Sequence, residues 1–369
     1  MATIIIKVTE KCNSNCQYCD VIRKKNTGKT MPLEIVDLLF QKSNEYLLKN
    51  KDEQLSFLWH GGEPLLPGKK YYRQVIDLQE KYCGETKNRI IHAMQTNLTC
   101  FDEGFVDIFQ QMGINSVGTS YDPEPHMRGP GKDINTLRYN SLFLNAVKIL
   151  NKHDIGWGMI YVVTKKSIKD PLGVFYFLTN MLLTGGINFN QVLIYDEERK
   201  DIAITPEEFV EFLGTIFPIW WANRERYPDV EPFKSLVNNI IHRHRSLACV
   251  DSGACTYHHI NISPEGDASQ CGRSSDWNLL NYGNIADCSI QDILSHPERK
   301  KLEKRYSKLI EKDCFGCRFW EICHGGCPLD AWSKHKDFNY KSEWCYVKKG
   351  FIEKYFEPVT GVNFEPLNN

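Results

Sequence analysis

The chain has 369 residues, 42% of them hydrophobic, enough for two domains or for one large domain with a sizeable core. Lys and Arg number 45 against 46 Asp and Glu, a net charge of -1, which gives no electrostatic reason to expect nucleic acid or an anionic membrane as partner. No run of about 18 apolar residues marks a membrane-spanning helix, and the N-terminal MATIIIKVTEKC lacks the regions of a secretory signal, so a cytosolic protein is expected.

Strand and helix signals alternate from the start. Ile4 to Val8 is a β-branched run, and a helical pattern follows from Pro32, a first-turn proline, to Leu48. Strand signals recur at Leu55 to Trp59, Ile90 to Met94, Val117 to Tyr121, Trp157 to Val163 and Val192 to Tyr195. Helical patterns lie between and after them, at Lys69 to Tyr82, Glu103 to Met112, Leu142 to Leu150, Val174 to Leu183 and Pro206 to Trp221. Such alternation argues for an α/β fold of parallel strands with helices outside. Right-handed crossovers would curl the strands into a partial (β/α)6 barrel, short of the eight units of a complete TIM barrel. From about Cys249 the alternation fades and Gly, Asp, Asn and Cys become frequent, as in a small domain organised around metal. A boundary in the connection that starts at Arg224 to Pro232 gives an expected barrel over 1–235 and a cysteine-rich domain with a C-terminal helix over 236–369.

The 14 cysteines gather in short-spaced groups at both ends of the chain. In a reducing cytosol that points to metal binding or catalysis rather than disulfides. CNSNCQYC sets Cys12, Cys16 and Cys19 at C-x3-C-x2-C, at the C-terminal end of the first strand, where barrels carry their chemistry. Thiolates select iron–sulfur clusters, zinc or copper(I). Closed zinc sites and ordinary clusters take four ligands, so three leave one coordination position open. The plain alternative is a three-cysteine zinc site completed by His60, although neither zinc-finger nor zinc-ribbon spacing is present.

Gly61-Gly62-Glu63-Pro64 follows the second strand. A glycine pair can offer carbonyls to a ligand ammonium, and Glu63 adds a carboxylate; read alone, the segment is a Gly-Pro turn. Gln95, Thr96 and Asn97 end the third strand, and Ser120 leads to Asp122 after the fourth. Arg128 and Arg138 are cations for a ligand carboxylate, or solvated loop residues.

Near the other end, Cys255 and Cys271 bracket C-x10-G-x4-C, with Gly266 inside. Cys314, Cys317, Cys323 and Cys327 follow at C-x2-C-x5-C-x3-C, Cys345 comes after and Cys249 before. Those eight cysteines match two four-ligand clusters, while C-x2-C also reads as a zinc knuckle. Cys83, Cys100 and Cys288 are left as buried or incidental thiols.

C-x3-C-x-aromatic-C after a first strand, with Tyr18 as the aromatic, resembles the signature of the radical S-adenosylmethionine superfamily. The resemblance implies that Cys12, Cys16 and Cys19 hold a [4Fe–4S] cluster whose fourth iron binds S-adenosyl-L-methionine. Reductive cleavage would give a 5′-deoxyadenosyl radical that abstracts a substrate hydrogen. It also implies that Tyr18, Gly61, Gly62, Glu63, Gln95, Asn97 and Ser120 form the cofactor site, the GGEP turn holding the methionine amino group. The later cysteines resemble the SPASM domain of enzymes that modify peptides and proteins. Two auxiliary [4Fe–4S] clusters follow by that likeness, one on Cys249, Cys255, Cys271 and Cys327, the other on Cys314, Cys317, Cys323 and Cys345. Three clusters in all imply an electron donor such as flavodoxin or ferredoxin.

Two functions share this chemistry. One is maturation of a ribosomally made precursor peptide by an oxidative carbon–carbon, ether or thioether cross-link. The other is anaerobic sulfatase maturation, which makes formylglycine from Cys or Ser; WHGGEPLL, QTN and Cys249 are similar to that family. Sulfatase-maturing enzymes carry an Asp base directly after the position of Cys271, where this chain has Gly272 and Arg273. Cross-linking is therefore the expected function, with Arg273 as a candidate substrate contact or a salt-bridged loop residue. The barrel starts almost at Met1, so a leader is expected to bind the barrel, the auxiliary domain or a separate protein. A third reading is a non-catalytic electron carrier or zinc-dependent interaction protein.

Overall fold

The computed structural model describes residues 1–19, 28–181, 185–194, 197–253 and 255–366. Its strands are β1 (Ala2–Thr9), β2 (Leu55–Gly61), β3 (Ile90–Gln95), β4 (Ser116–Ser120), β5 (Gly156–Val163), β6 (Ile187–Gln191), β7 (Val230–Glu231), β8 (His259–Ile262), β9 (Asp267–Ser269) and β10 (Asn281–Asn284). The helices between the first seven strands are α1 (Leu33–Lys49), α2 (Lys69–Cys83), α3 (Glu103–Gln111), α4 (Thr136–Lys152), α5 (Pro171–Thr179) and α6 (Pro206–Ala222). The chain forms two compact units, 1–157 with 256–300 and 158–255 with 301–369.

In the first unit the strands run in the order β10-β9-β8-β1-β2-β3-β4, and β1 to β4 pair in parallel. Burial alternates along β2 and over the first half of β1, as a period of two requires, and Ile6 to Thr9 are all buried. Phe57 and Trp59 pack on Phe40 of α1 and Tyr72 of α2. Lys7 and His60 stand opposite one another in register on the other face. Asp102 and Asn135 cap α3 and α4 by accepting from Gly104 N and Arg138 N, which starts α4 ahead of the expected Leu142.

The two compact units cut across the division expected near residue 235. β8 pairs in parallel with β1, Thr3 opposite His259 and Ile6 opposite Ile262, so part of the expected C-terminal domain extends the first unit's sheet. Ile260 and Ile262 are fully buried there, and pairing removes an exposed edge from β1.

The second unit pairs β5, β6 and β7 in parallel. A capping box of Thr205 and Glu208 starts α6. Phe217 of α6 packs against Phe233, Phe351 and Phe356, tying α6 to the C-terminal helices. The sixth strand lies at Ile187–Gln191 rather than at Val192 to Tyr195. Buried Ile187 and Phe189 alternate there with Asn188 and Asn190, a half-polar pattern that the neighbouring apolar run outshone. Tyr195, and Leu183 at the expected end of α5, lie outside the described residues. No helix among the described residues is long and apolar enough to cross a membrane.

Candidate active site

After β1 the chain turns through Cys12, Cys16 and Cys19, and backbone bonds hold this loop from two sides. Gly62 N donates to Thr9 O at 2.7 Å and Glu63 N to Lys11 O at 2.8 Å. Asn15 N donates to Gly129 O at 2.7 Å and Gln17 N to Met127 O at 3.0 Å. The first approach requires glycine. A β-carbon at Gly61 would stand 2.3 Å from Thr9 O, and one at Gly62 would stand 2.2 Å from Lys11 O. Gly61 also has φ +141°, a region closed to other residues.

Glu63 is fully buried. One of its oxygens accepts from the Thr96 hydroxyl at 2.7 Å and Leu65 N at 2.9 Å, the other from Asn97 N at 2.7 Å. Burial raises its pKa, and these hydrogen bonds pull it back. Both oxygens of the carboxylate read as an acceptor for a ligand ammonium are thus engaged within the protein. They tie the turn after β2 to the end of β3. Asn97 carries the link onward, its Nδ2 donating to Asn13 Oδ1 at 2.9 Å and Ser14 Oγ at 3.4 Å, with Cys12 Sγ at 3.9 Å. Gln95 lies across Gly118, where a β-carbon would be 2.1 Å from Gln95 Oε1. Ser120 ends β4, and its carbonyl accepts from the Tyr139 hydroxyl.

Tyr18 belongs to a buried polar cluster. Its hydroxyl donates to Asp122 and accepts from Arg128 Nη2 at 2.7 Å. Arg128 Nε is ion-paired with Asp122 at 2.9 Å, and its guanidinium lies 5.5 Å from the Tyr139 ring centroid. Arg128 is therefore an interior cation next to the cysteine loop, while Arg138 stands exposed in the first turn of α4. Burial raises the Tyr18 pKa well above its ordinary value, so the phenol stays neutral.

The donor set fits an iron–sulfur cluster. Burial pushes the Cys12 thiol up to about 12 and Cys16 to about 11, and the neighbouring thiols oppose one another's ionisation. Buried thiols of this kind become thiolates together only beside a cation. Among the described residues no three His, Cys, Asp or Glu groups close around a single ion. A cubane cluster asks instead for one thiolate per iron.

Of the other ionisable residues here, the sequence reading named only His60. Lys7 is ion-paired with Asp276 and lies 3.9 Å from Glu10. His60 Nδ1 accepts from Gly61 N at 2.7 Å, and burial lowers its pKa. Asp276 closes a short helix, Gly272–Asp276, that Cys271 opens, with Cys271 N donating to Ser274 Oγ at 2.9 Å. A lysine inside an apolar strand was the one local signal for this pair.

In the second unit, a hydrogen bond between Cys323 and Cys345 lowers the pKa of Cys345 and raises that of Cys323. Cys314 is pushed up to about 11 by burial, then by Cys345 and exposed Cys317. Cys249, Cys323, Cys327 and Cys345 line a cavity of about 500 Å³ with Asn188 and Asn190 of β6. Asp251 and Lys348 form an ion pair of 2.8 Å in its wall. Cys255 is buried in this unit, whereas Cys271 belongs to the first. None of the 14 thiols is in a disulfide. Of those left over, Cys83 is buried against Phe40 O and Cys100 accepts from Asn13 Nδ2 at 3.2 Å.

The profile of the radical SAM superfamily matches residues 6–177, and that of an iron–sulfur cluster-binding domain, SPASM, matches residues 254–318. The cysteine-type anaerobic sulfatase-maturating enzyme of Clostridium perfringens strain 13 is 23% identical over 373 residues, covering 98% of this chain and 98% of the relative. The serine-type enzyme of Bacteroides thetaiotaomicron is 23% identical, covering 94% and 86%. The solved structure described as native anSMEcpe with bound AdoMet and Cp18Cys peptide superposes with a TM-score of 0.82 at 22% identity, covering 98% of each chain. The fold is shared along the whole length of both.

Proposed function

We propose that the chain, which carries a radical SAM domain and a SPASM domain, is a radical S-adenosylmethionine enzyme that oxidises a Cys or Ser side chain of a protein substrate to formylglycine. Likeness over 98% of both chains to a sulfatase-maturating enzyme carries this reading, against the cross-linking expected from the sequence. Cys12, Cys16 and Cys19 would hold the barrel cluster, and S-adenosyl-L-methionine bound there supplies a 5′-deoxyadenosyl radical. The Gly61-Gly62 turn, Gln95, Asn97 and Ser120 stand at the ends of β2, β3 and β4, where the cofactor would lie. The substrate carbon would give a hydrogen atom to that radical and its heteroatom a proton, and the auxiliary clusters would supply the acceptor for the remaining electron. A thioaldehyde formed from Cys is then hydrolysed with loss of hydrogen sulfide. The eight cysteines from Cys249 to Cys345 would hold the two auxiliary clusters, and a flavodoxin or ferredoxin in a reducing cytosol would supply electrons.

One observation favours a second reading, oxidative cross-linking of a precursor peptide. No carboxylate directly follows Cys271, and the first one in that helix, Asp276, is held by Lys7.

The test uses anaerobically reconstituted enzyme with dithionite and S-adenosyl-L-methionine. About twelve irons per chain and release of 5′-deoxyadenosine are expected. With peptides spanning the Cys or Ser that sulfatases have modified, a hydrazide-reactive aldehyde supports the first reading. An aldehyde-free product lacking hydrogen, formed only on another peptide, supports the second. Zinc in place of iron, or no cofactor cleavage, overturns both.

A further inference from the structure

Arg305, in the helix Arg299–Glu311, is completely buried. Its guanidinium donates only to backbone carbonyls. Nε reaches Phe338 O at 2.7 Å, Nη1 reaches His324 O at 3.3 Å, and Nη2 reaches Gly325 O at 2.9 Å and Tyr340 O at 3.0 Å. None of these acceptors is charged, and among the described residues Arg305 has no carboxylate partner. A buried guanidinium with no counter-charge is unfavourable, and unlike lysine it cannot escape by losing its proton. Burial lowers its pKa, and the acidic groups whose charge opposes this are Tyr306, then Cys327, Cys255 and Cys314. A β-carbon at Gly325 would stand 3.5 Å from Arg305 Nη2 and 3.7 Å from Cys314 Sγ, which places guanidinium and thiol around one glycine. Neutral thiols compensate nothing. Four thiolates on a [4Fe–4S] cluster leave it with net negative charge, which grows on reduction.

We propose that Arg305 is the built-in counter-charge of the auxiliary clusters that Cys314, Cys255 and Cys327 would bear, a positioning residue that raises an auxiliary reduction potential so that the cluster can accept the substrate's electron. The proposal rests on reading those cysteines as cluster ligands. A fixed positive charge in a low-dielectric interior stabilises the reduced cluster more than the oxidised one. The same guanidinium fixes the carbonyls of 324–325, between Cys323 and Cys327.

The full-length enzyme and its Arg305→Met and Arg305→Lys variants are reconstituted, iron is counted, and the clusters are titrated electrochemically with EPR detection. The barrel cluster is the signal that changes on adding S-adenosyl-L-methionine. Arg305→Met with full iron is expected to move an auxiliary midpoint down, so that the reduced-to-oxidised ratio at the wild-type midpoint falls about tenfold. Arg305→Lys keeps the charge and stays near wild type. An unmoved midpoint in iron-replete Arg305→Met overturns the proposal, and so does an equal shift in both variants, which would assign the effect to the carbonyl bonds. If Arg305→Met loses its iron, Arg305→Lys decides: full iron at the wild-type midpoint supports the counter-charge, and loss of iron there too marks a structural clamp and overturns it. Wild-type enzyme without auxiliary iron defeats the cluster reading itself, a separate failure.

Discussion

The ammonium of Lys7, in β1, is ion-paired with the carboxylate of Asp276, 269 residues away and five beyond Cys271. Both side chains are nearly buried, at 6% and 12% exposed. Removing one member of such a pair strands the other charge. Glu10, 3.9 Å from the ammonium, offsets part of that. Asp276→Asn should therefore destabilise the protein by about 2 kcal/mol in denaturant unfolding, with Lys7→Met in the same chain recovering much of it. A double variant no more stable than Asp276→Asn would show that the pair is not the cause.

Replacing Cys12, Cys16 and Cys19 with Ala should abolish 5′-deoxyadenosine formation and leave roughly eight irons per chain, those of two auxiliary clusters. Iron counting and chromatography of the nucleoside read this directly. Iron near zero would mean that the barrel cluster is needed for the protein to fold.

Gly62→Ala forces a methyl group to 2.2 Å from Lys11 O, next to Cys12. The obstacle is backbone, so the cysteine loop must move. Barrel iron should fall, and S-adenosyl-L-methionine should bind at least about tenfold more weakly in equilibrium dialysis, as a misplaced site demands. Gly84→Ala, with nothing within 4 Å of its new carbon, is the control. Equal binding in the two variants would refute the role given to the glycine turn.

His92 is buried, and its Nδ1 accepts from Trp59 Nε1 at 3.0 Å. The ring is thus neutral with its proton on Nε2, a buried nitrogen without a partner. Burial lowers the pKa from 6.5 to about 4. As pH falls, the unfolded chain takes up this proton before the folded chain does. Stability is therefore intact above pH 6.5 and declines between pH 6.5 and about 4, by up to about 3 kcal/mol at the acid end. Denaturant midpoints at about pH 7 and pH 5 should converge in His92→Phe relative to wild type. An acid limb as steep as before would assign the loss to other groups.

Much of the barrel unit could be read from single stretches of sequence. The β-branched and alternating runs placed β1 to β5 because a strand's period of two is a local property. The cysteine groups stood out for a similar reason: thiols spaced by two to five residues lie close together in any compact loop. Local reading was weakest where partners are distant. Gly61 and Gly62 stood out as a turn, yet their closeness to Thr9 and Lys11 depends on two parallel strands meeting in register. Arg128 could be taken for a solvated loop residue until Tyr18 and Asp122 enclosed it. By itself the sequence determined the order of strands and helices in the barrel unit and the close spacing of the cysteine groups, which depend on neighbours along the chain. Tertiary structure alone decided that β8 joins β1, that Lys7 meets Asp276 and that Arg305 is buried among carbonyls. Strand pairing and charge burial depend on which surfaces exclude water from one another, and residues far apart in sequence settle that together.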